Sequence, residues 1–191
     1  MFEQLKSTIS ARALRLSKSP LPRRFFFQQS ASTTLEFGLL AAPFVALVFA
    51  ILQTAIIFFA SQTLETAVAT AGRYIMTGQA QMQGWSAAQF KQHVCAAITG
   101  LFNCASGVYV DVETYTSFAA VNLGMPVNNG VFNSSSLGYN PGSAGDIVVV
   151  RLYYQYPVYV NLFGFNLSSL NGGYNLLAAT AVFKNEPYSA S

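Results

Sequence analysis

One uninterrupted apolar run constrains this chain more than anything else in it. Phe37 to Ala60 is a stretch of 24 residues without a charged side chain, and Gln53 and Thr54 are its only strongly polar members. Coiled as a helix it is about 36 Å long, against a bilayer hydrocarbon core of about 30 Å. Such a segment crosses a membrane with some tilt. A helix buried in a soluble core is shorter and keeps a polar face. The flanks orient the span. Residues 1–31 hold Lys6, Arg12, Arg15, Lys18, Arg23 and Arg24 against the single acid Glu3, so this arm carries +5. The first basic residue after the run is Arg73. Basic flanks stay in the cytoplasm, so the N-terminus is expected there and everything after about residue 60 outside it.

A secretory signal peptide also begins basic and turns apolar. Its apolar core is about 7–15 residues, however, and this run is longer. The small triplet Ala69-Thr70-Ala71 lies too far past the run to make a good cleavage site. Charge elsewhere is sparse. Only 9% of residues are Asp, Glu, Lys or Arg, where about 25% is usual. The chain after residue 31 holds four basic and six acidic side chains. A basic arm on a nearly neutral body is not the footprint of a nucleic-acid-binding domain, which spreads Lys and Arg over a folded face.

Past the span the helical pattern continues. Leu64, Val68, Ala71 and Ile75 form one stripe, and a helix from Ser32 to about Gln79 is expected, weakening at Gly78 and Gly84. Ser86-Ala87-Ala88-Gln89 has the form of a capping box and opens a second helix, with Phe90, Val94, Ile98 and Leu101 on one face. Cys95 lies on that helix and Cys104 follows it. If the helix ran through both, their Cα atoms would stand about 13 Å apart, too far for a disulfide. A bridge therefore requires the helix to end near Leu101 or Phe102 and the chain to turn back at Gly100 and Asn103. Two cysteines in an exported segment favour pairing. Two free thiols or a metal site are the alternatives, and His93, the sole histidine, falls on a different helical face from Cys95.

Three strands follow. Val108, Val110 and Val112 alternate with Tyr109, Asp111 and Glu113, and Ile147–Tyr156 and Leu176–Phe183 are β-branched or aromatic runs. The stretches 122–145 and 161–173, rich in Asn, Gly and Ser, read as loops. The expected architecture is α+β: a long N-terminal transmembrane and stalk helix, a short second helix, and a small antiparallel sheet packed on the helix spine. It divides into a basic cytoplasmic leader (1–31), the transmembrane helix with its extension (32–84), and an extracytoplasmic α+β domain (85–191). No catalytic constellation, phosphate loop or metal-ligand spacing is present, so no enzyme activity, cofactor or metal is expected. Asp111 and Glu113 share a strand face, where paired acids are ordinarily solvated.

Glu36 stands at the edge of the apolar run. A carboxylate in the first turn of a helix is favoured by the helix dipole, which accounts for it in purely local terms. The surroundings carry more. A basic leader, a small residue, four further residues, then Glu36-Phe37 and an apolar helix resemble the type IV prepilin signal. The opening Thr34-Leu35-Glu36-Phe37-Gly38-Leu39-Leu40-Ala41-Ala42-Pro43 resembles that of TadE-like proteins of tight-adherence pilus systems. So do the run from Ser61 to Gly72-Arg73-Tyr74, the strand Gly145–Arg151 and the ending Ala181–Tyr188. The resemblance implies a minor pilin, or pseudopilin. A prepilin peptidase would cut between Ala31 and Ser32, where family members usually carry Gly before the cut, and Glu36 would become the fifth mature residue. Glu36 would then offset the new amino terminus at Ser32 during assembly. Partners would be that peptidase, other pilin and pseudopilin subunits, the assembly platform and membrane lipid. The location would be the inner membrane with a periplasmic domain, and a place in an extracellular pilus. The competing reading is a single-pass inner-membrane scaffold or receptor domain that keeps its leader.

Overall fold

A computed structural model of the chain describes residues 29–96, 98, 103–159 and 166–188. The long helix α1 spans Gln29–Met76, 48 residues with Pro43 inside it. Proline lacks the N–H that would bond the carbonyl four residues back, a loss that membrane helices tolerate better than soluble ones. Two compact units divide the chain between Val45 and Ala46, so α1 contributes to both. Within the first unit the described segment is helical, and from Thr33 to Val45 only Ala41 is even half-buried.

The second unit carries the core. From Gln53 onward α1 buries one stripe: Gln53, Ile57, Ala60, Leu64, Ala67, Val68, Ala71 and Ile75. Those spacings of three and four put the residues on one helical face. The helix stops where Gly78 takes a left-handed φ of 78°, a conformation cheap only for glycine. The short helix α2 (Gln79–Met82) follows it. Helix α3 covers Ala87–Ala96 and buries Phe90 and Val94. Its capping box forms as expected: the Ser86 N–H donates to Gln89 Oε1 at 2.9 Å and the Gln89 N–H to Ser86 Oγ at 3.4 Å. The helix ends at Ala96, well short of the expected Leu101 or Phe102. Ile98 is buried outside it, its N–H donating to the Cys95 carbonyl in a tight turn. Gly100, Leu101 and Phe102 lie outside the described residues. A further short turn of helix, α4, covers Cys104–Gly107.

The sheet is antiparallel in the order β1-β4-β5, with β1 at Val108–Tyr115, β4 at Ile147–Pro157 and β5 at Tyr174–Lys184. The register aligns Val112 with Val150 and Leu152 with Ala179. That places Val108, Val112, Val148, Val150, Leu152 and Leu177 on one face, in a single cluster with Leu64, Val68 and Ile75 of α1. The helix approaches closely because small residues face the sheet. A Cβ built on Gly72 would come within 2.9 Å of the Phe183 ring. The observed fold is the expected α+β architecture. The connection 122–145, expected as a loop, contains a two-stranded hairpin, β2 (Val127–Asn128) and β3 (Val131–Phe132). It packs Val127, Phe132 and Leu137 against Tyr153, Leu170 and Leu176 on the outer face of the sheet. The segment after β5 is tied down as far as Tyr188. The Glu186 N–H donates to the Met76 carbonyl, and the Tyr188 ring lies over Gly78, where no Cβ would fit.

Candidate assembly surface

The surface of α1 changes character along its length. Leu35, Phe37, Leu39, Leu40 and Phe44 are exposed in the first unit. In the second, Leu47, Phe49, Ile51, Leu52, Phe58 and Phe59 are exposed beside the buried stripe. Beyond Phe59 the outward residues are polar apart from Ala69: Gln62, Glu65, Thr66 and Arg73. The hydroxyls of Thr63, Thr66 and Thr70 donate to the carbonyls one turn back, which satisfies them within the helix. A helix of this length and composition is sufficient to cross a membrane. Its buried stripe packs on the domain, and the rest of its large apolar side chains up to Phe59 are mostly exposed.

The expected site residues fall at two places. Ala31 and Ser32 lie in the first turns of α1, and their side chains are outside the described residues. Glu36 is one turn further along the helix and exposed. Cys95 and Cys104 are joined in a disulfide with Cα atoms 5.6 Å apart, because α3 ends one residue after Cys95 and the chain folds back to α4. This bridge joins α3 to α4. His93 stacks on Trp85 with ring centroids 3.8 Å apart, with Tyr74 against both rings, so it is a packing residue.

One polar arrangement was not foreseen. Asp111, expected to be solvated, is instead buried, and with the part-exposed Glu113 it clasps Arg151 on the outer sheet face. Asp111 is 2% exposed and Arg151 6% exposed. Arg151 Nη2 lies 2.7 Å from Asp111 Oδ2 and 2.5 Å from Glu113 Oε2. Arg151 Nη1 donates to the Asn122 carbonyl at 2.9 Å, and Asp111 Oδ1 accepts from the Gly138 N–H at 2.8 Å. Burial works against the guanidinium charge. The Asp111 carboxylate, with Tyr153 and Glu113, outweighs it and holds Arg151 above its ordinary range. The Tyr115 hydroxyl donates to Glu113, and burial together with that bond pushes its pKa up. A polar cavity of about 180 Å³ adjoins the group. The clasp fastens both ends of the 122–138 connection to the sheet. Among the described residues no group of His, Cys, Asp and Glu is disposed to hold a metal ion. The signal for the clasp was present in the scarcity of charge, since these three are among the ten Asp, Glu, Lys and Arg residues past residue 31.

Residues 31–73 match the family model of TadE-like proteins. The matched segment begins at Ala31 and runs through Glu36, the exposed apolar surface and most of the buried stripe of α1. The strand at Gly145–Arg151 and the ending Ala181–Tyr188 lie outside it. No curated protein and no solved structure matches the chain significantly.

Proposed function

We propose that this chain, whose α1 carries the TadE-like segment, is a minor pilin or pseudopilin acting in assembly of a tight-adherence pilus. The observation that carries the reading is a coincidence along one helix. The family match over 31–73 covers the stretch whose apolar side chains are exposed from Leu35 to Phe59 with Glu36 at its start. A surface of that kind needs lipid around it before assembly and neighbouring helices after it, because apolar area left in water is unfavourable by about 25 cal/mol per Å².

In this reading α1 is held in the inner membrane with its basic leader in the cytoplasm and its domain in the periplasm. A prepilin peptidase removes residues 1–31. The released helix then packs against other pilin or pseudopilin subunits at the assembly platform. Glu36 offsets the new positive terminus at Ser32, on the same chain or a neighbour, and thereby sets axial register. The role is structural, and no reaction is catalysed.

Two measurements on cells test it. N-terminal sequencing of protein from native membranes is expected to start at Ser32. A start at Met1 favours a stationary scaffold that keeps its leader. Glu36→Ala is expected to leave expression and membrane insertion unchanged and to impair fibre assembly or surface adhesion, whereas Leu47→Ile is tolerated. Normal fibres from Glu36→Ala cells would remove Glu36 from the assembly mechanism; the first-turn dipole account does not cover it either, since α1 begins at Gln29.

A further inference from the structure

The domain meets α1 lower than the polar part of the helix begins. Gln53 lies inside the apolar run, yet it is only 8% exposed. Its Oε1 accepts the backbone N–H of Tyr159 at 3.1 Å. The chain leaving β4 therefore reaches down beside the helix to the level of Gln53, six residues before Phe59, where the exposed surface is still apolar. Six residues of helix rise about 9 Å. Between this ledge and the helix runs a groove of about 290 Å³ lined by Phe49, Leu52, Gln53, Ile56, Tyr156 and Tyr159. Tyr159 is 81% exposed.

We propose that Tyr156 and Tyr159 seat the folded domain in the outer headgroup layer of the bilayer, and that the groove they form with Phe49, Leu52 and Ile56 holds a phospholipid acyl chain. The proposal rests on the reading of α1 as a membrane span. If α1 spans, Phe49, Leu52 and Ile56 belong to the surface that faces lipid, and the groove is continuous with it. The headgroup layer on each side of the hydrocarbon is several Å thick, so a ledge about 9 Å below the polar transition reaches the acyl boundary. Tyrosine is the residue type suited to that depth, its ring in the apolar region and its hydroxyl among headgroups. The contact with Gln53 fits as well. A side-chain amide at this depth is costly unless bonded, and the Tyr159 N–H bonds it from the domain side. A neighbouring helix is the other conceivable occupant. The two tyrosines at the rim, over a floor of Phe49, Leu52 and Ile56 with the Gln53 amide oxygen bonded to the Tyr159 N–H, match a lipid with its headgroup above and its chain below.

The test uses full-length protein in phosphatidylcholine vesicles, with and without bromine on the upper part of the acyl chains. Native Trp85 is the internal reference. It packs on Tyr74, about 22 Å along the helix from Phe59, and bromine should not quench it. Tyr159→Trp is expected to lose about half of its added emission in brominated vesicles, as an interfacial aromatic should. Phe44→Trp reports the span itself. If Phe44→Trp is quenched while Tyr159→Trp behaves like Trp85, the ledge does not touch lipid and the proposal is overturned with the span intact. The same result follows if a neighbouring helix fills the groove. If neither is quenched, the spanning reading falls too. Tyr159 is exposed, so its replacement leaves the fold unperturbed, and retention of the Cys95–Cys104 bridge checks this.

Discussion

Asp111 and Glu113, both bound to Arg151, show how unequal the two acids of one ionic cluster can be. The Arg151 and Asp111 side chains are 7% and 3% exposed, while that of Glu113 is 38% exposed. Removing one partner of a buried pair strands the other, at a cost of about 3–5 kcal/mol. A half-exposed acid is screened by water, and such pairs contribute about 0–1 kcal/mol. Arg151→Met is therefore expected to destabilise the protein strongly, and Glu113→Gln to shift it by about 1 kcal/mol or less. Urea unfolding followed by circular dichroism in detergent micelles distinguishes them. Equal effects of the two changes would show that Arg151 is not held chiefly by Asp111. Replacing all three with apolar residues of similar volume should recover much of the loss, since the clasp's desolvation cost disappears with its charges.

At the scale of elements, two joints hold the second unit together. One is the contact of α1 with β5, where Gly72 leaves room for Phe183 and Ala181. A larger side chain there forces the ring aside in a packed core, at about 1–3 kcal/mol. Gly72→Leu is expected to lower the melting temperature, whereas Gly38→Leu should not, because a Cβ at Gly38 meets nothing within 4 Å. A silent Gly72→Leu would mean that helix and sheet are more loosely packed than the structure shows. The other joint is the bridge between α3 and α4. It closes a loop of sequence separation 9, for which the chain-entropy account gives about 2–3 kcal/mol. Alkylation of denatured, unreduced protein should leave Cys95 and Cys104 unlabelled. Reduction should lower the unfolding free energy by about that amount. Labelling of both residues would show free thiols.

At the scale of the whole molecule, the two surfaces of α1 serve different ends. The stripe from Gln53 to Ile75 is the spine of the domain. The exposed apolar surface from Leu35 to Phe59 is the part that the proposed pilin role uses. The charge asymmetry of the flanks predicts that a reporter active only in the periplasm, fused after Tyr188, is active. Activity of a cytoplasm-only reporter at the same position would reverse the topology. It would also remove the oxidising environment that the Cys95–Cys104 bridge needs.

Features set by neighbours along the chain were legible in the sequence. The apolar run, the stripe Leu64, Val68, Ala71 and Ile75, the Ser86–Gln89 capping box and the three strands each depend on a local period or a local hydrogen bond. The helix break at Gly78 is of the same kind, since it depends on one residue's φ. The tertiary structure decided whatever needed two distant segments in register. Alternation alone put Asp111 and Glu113 on the polar side of a strand. Only the alignment of Asp111 opposite Arg151 turned that side inward, beneath a hairpin that composition had marked as plain loop. The end of α3 moved for a similar reason: its apolar period runs on past Ala96, but the disulfide needs the chain to fold back sooner. Gln53 read as a stray polar residue in a membrane helix until Tyr159, 106 positions away, was brought against it. Periodicity reports which face of an element is apolar. Only packing determines what covers that face, because burial is a property of the pair of surfaces in contact and not of either alone.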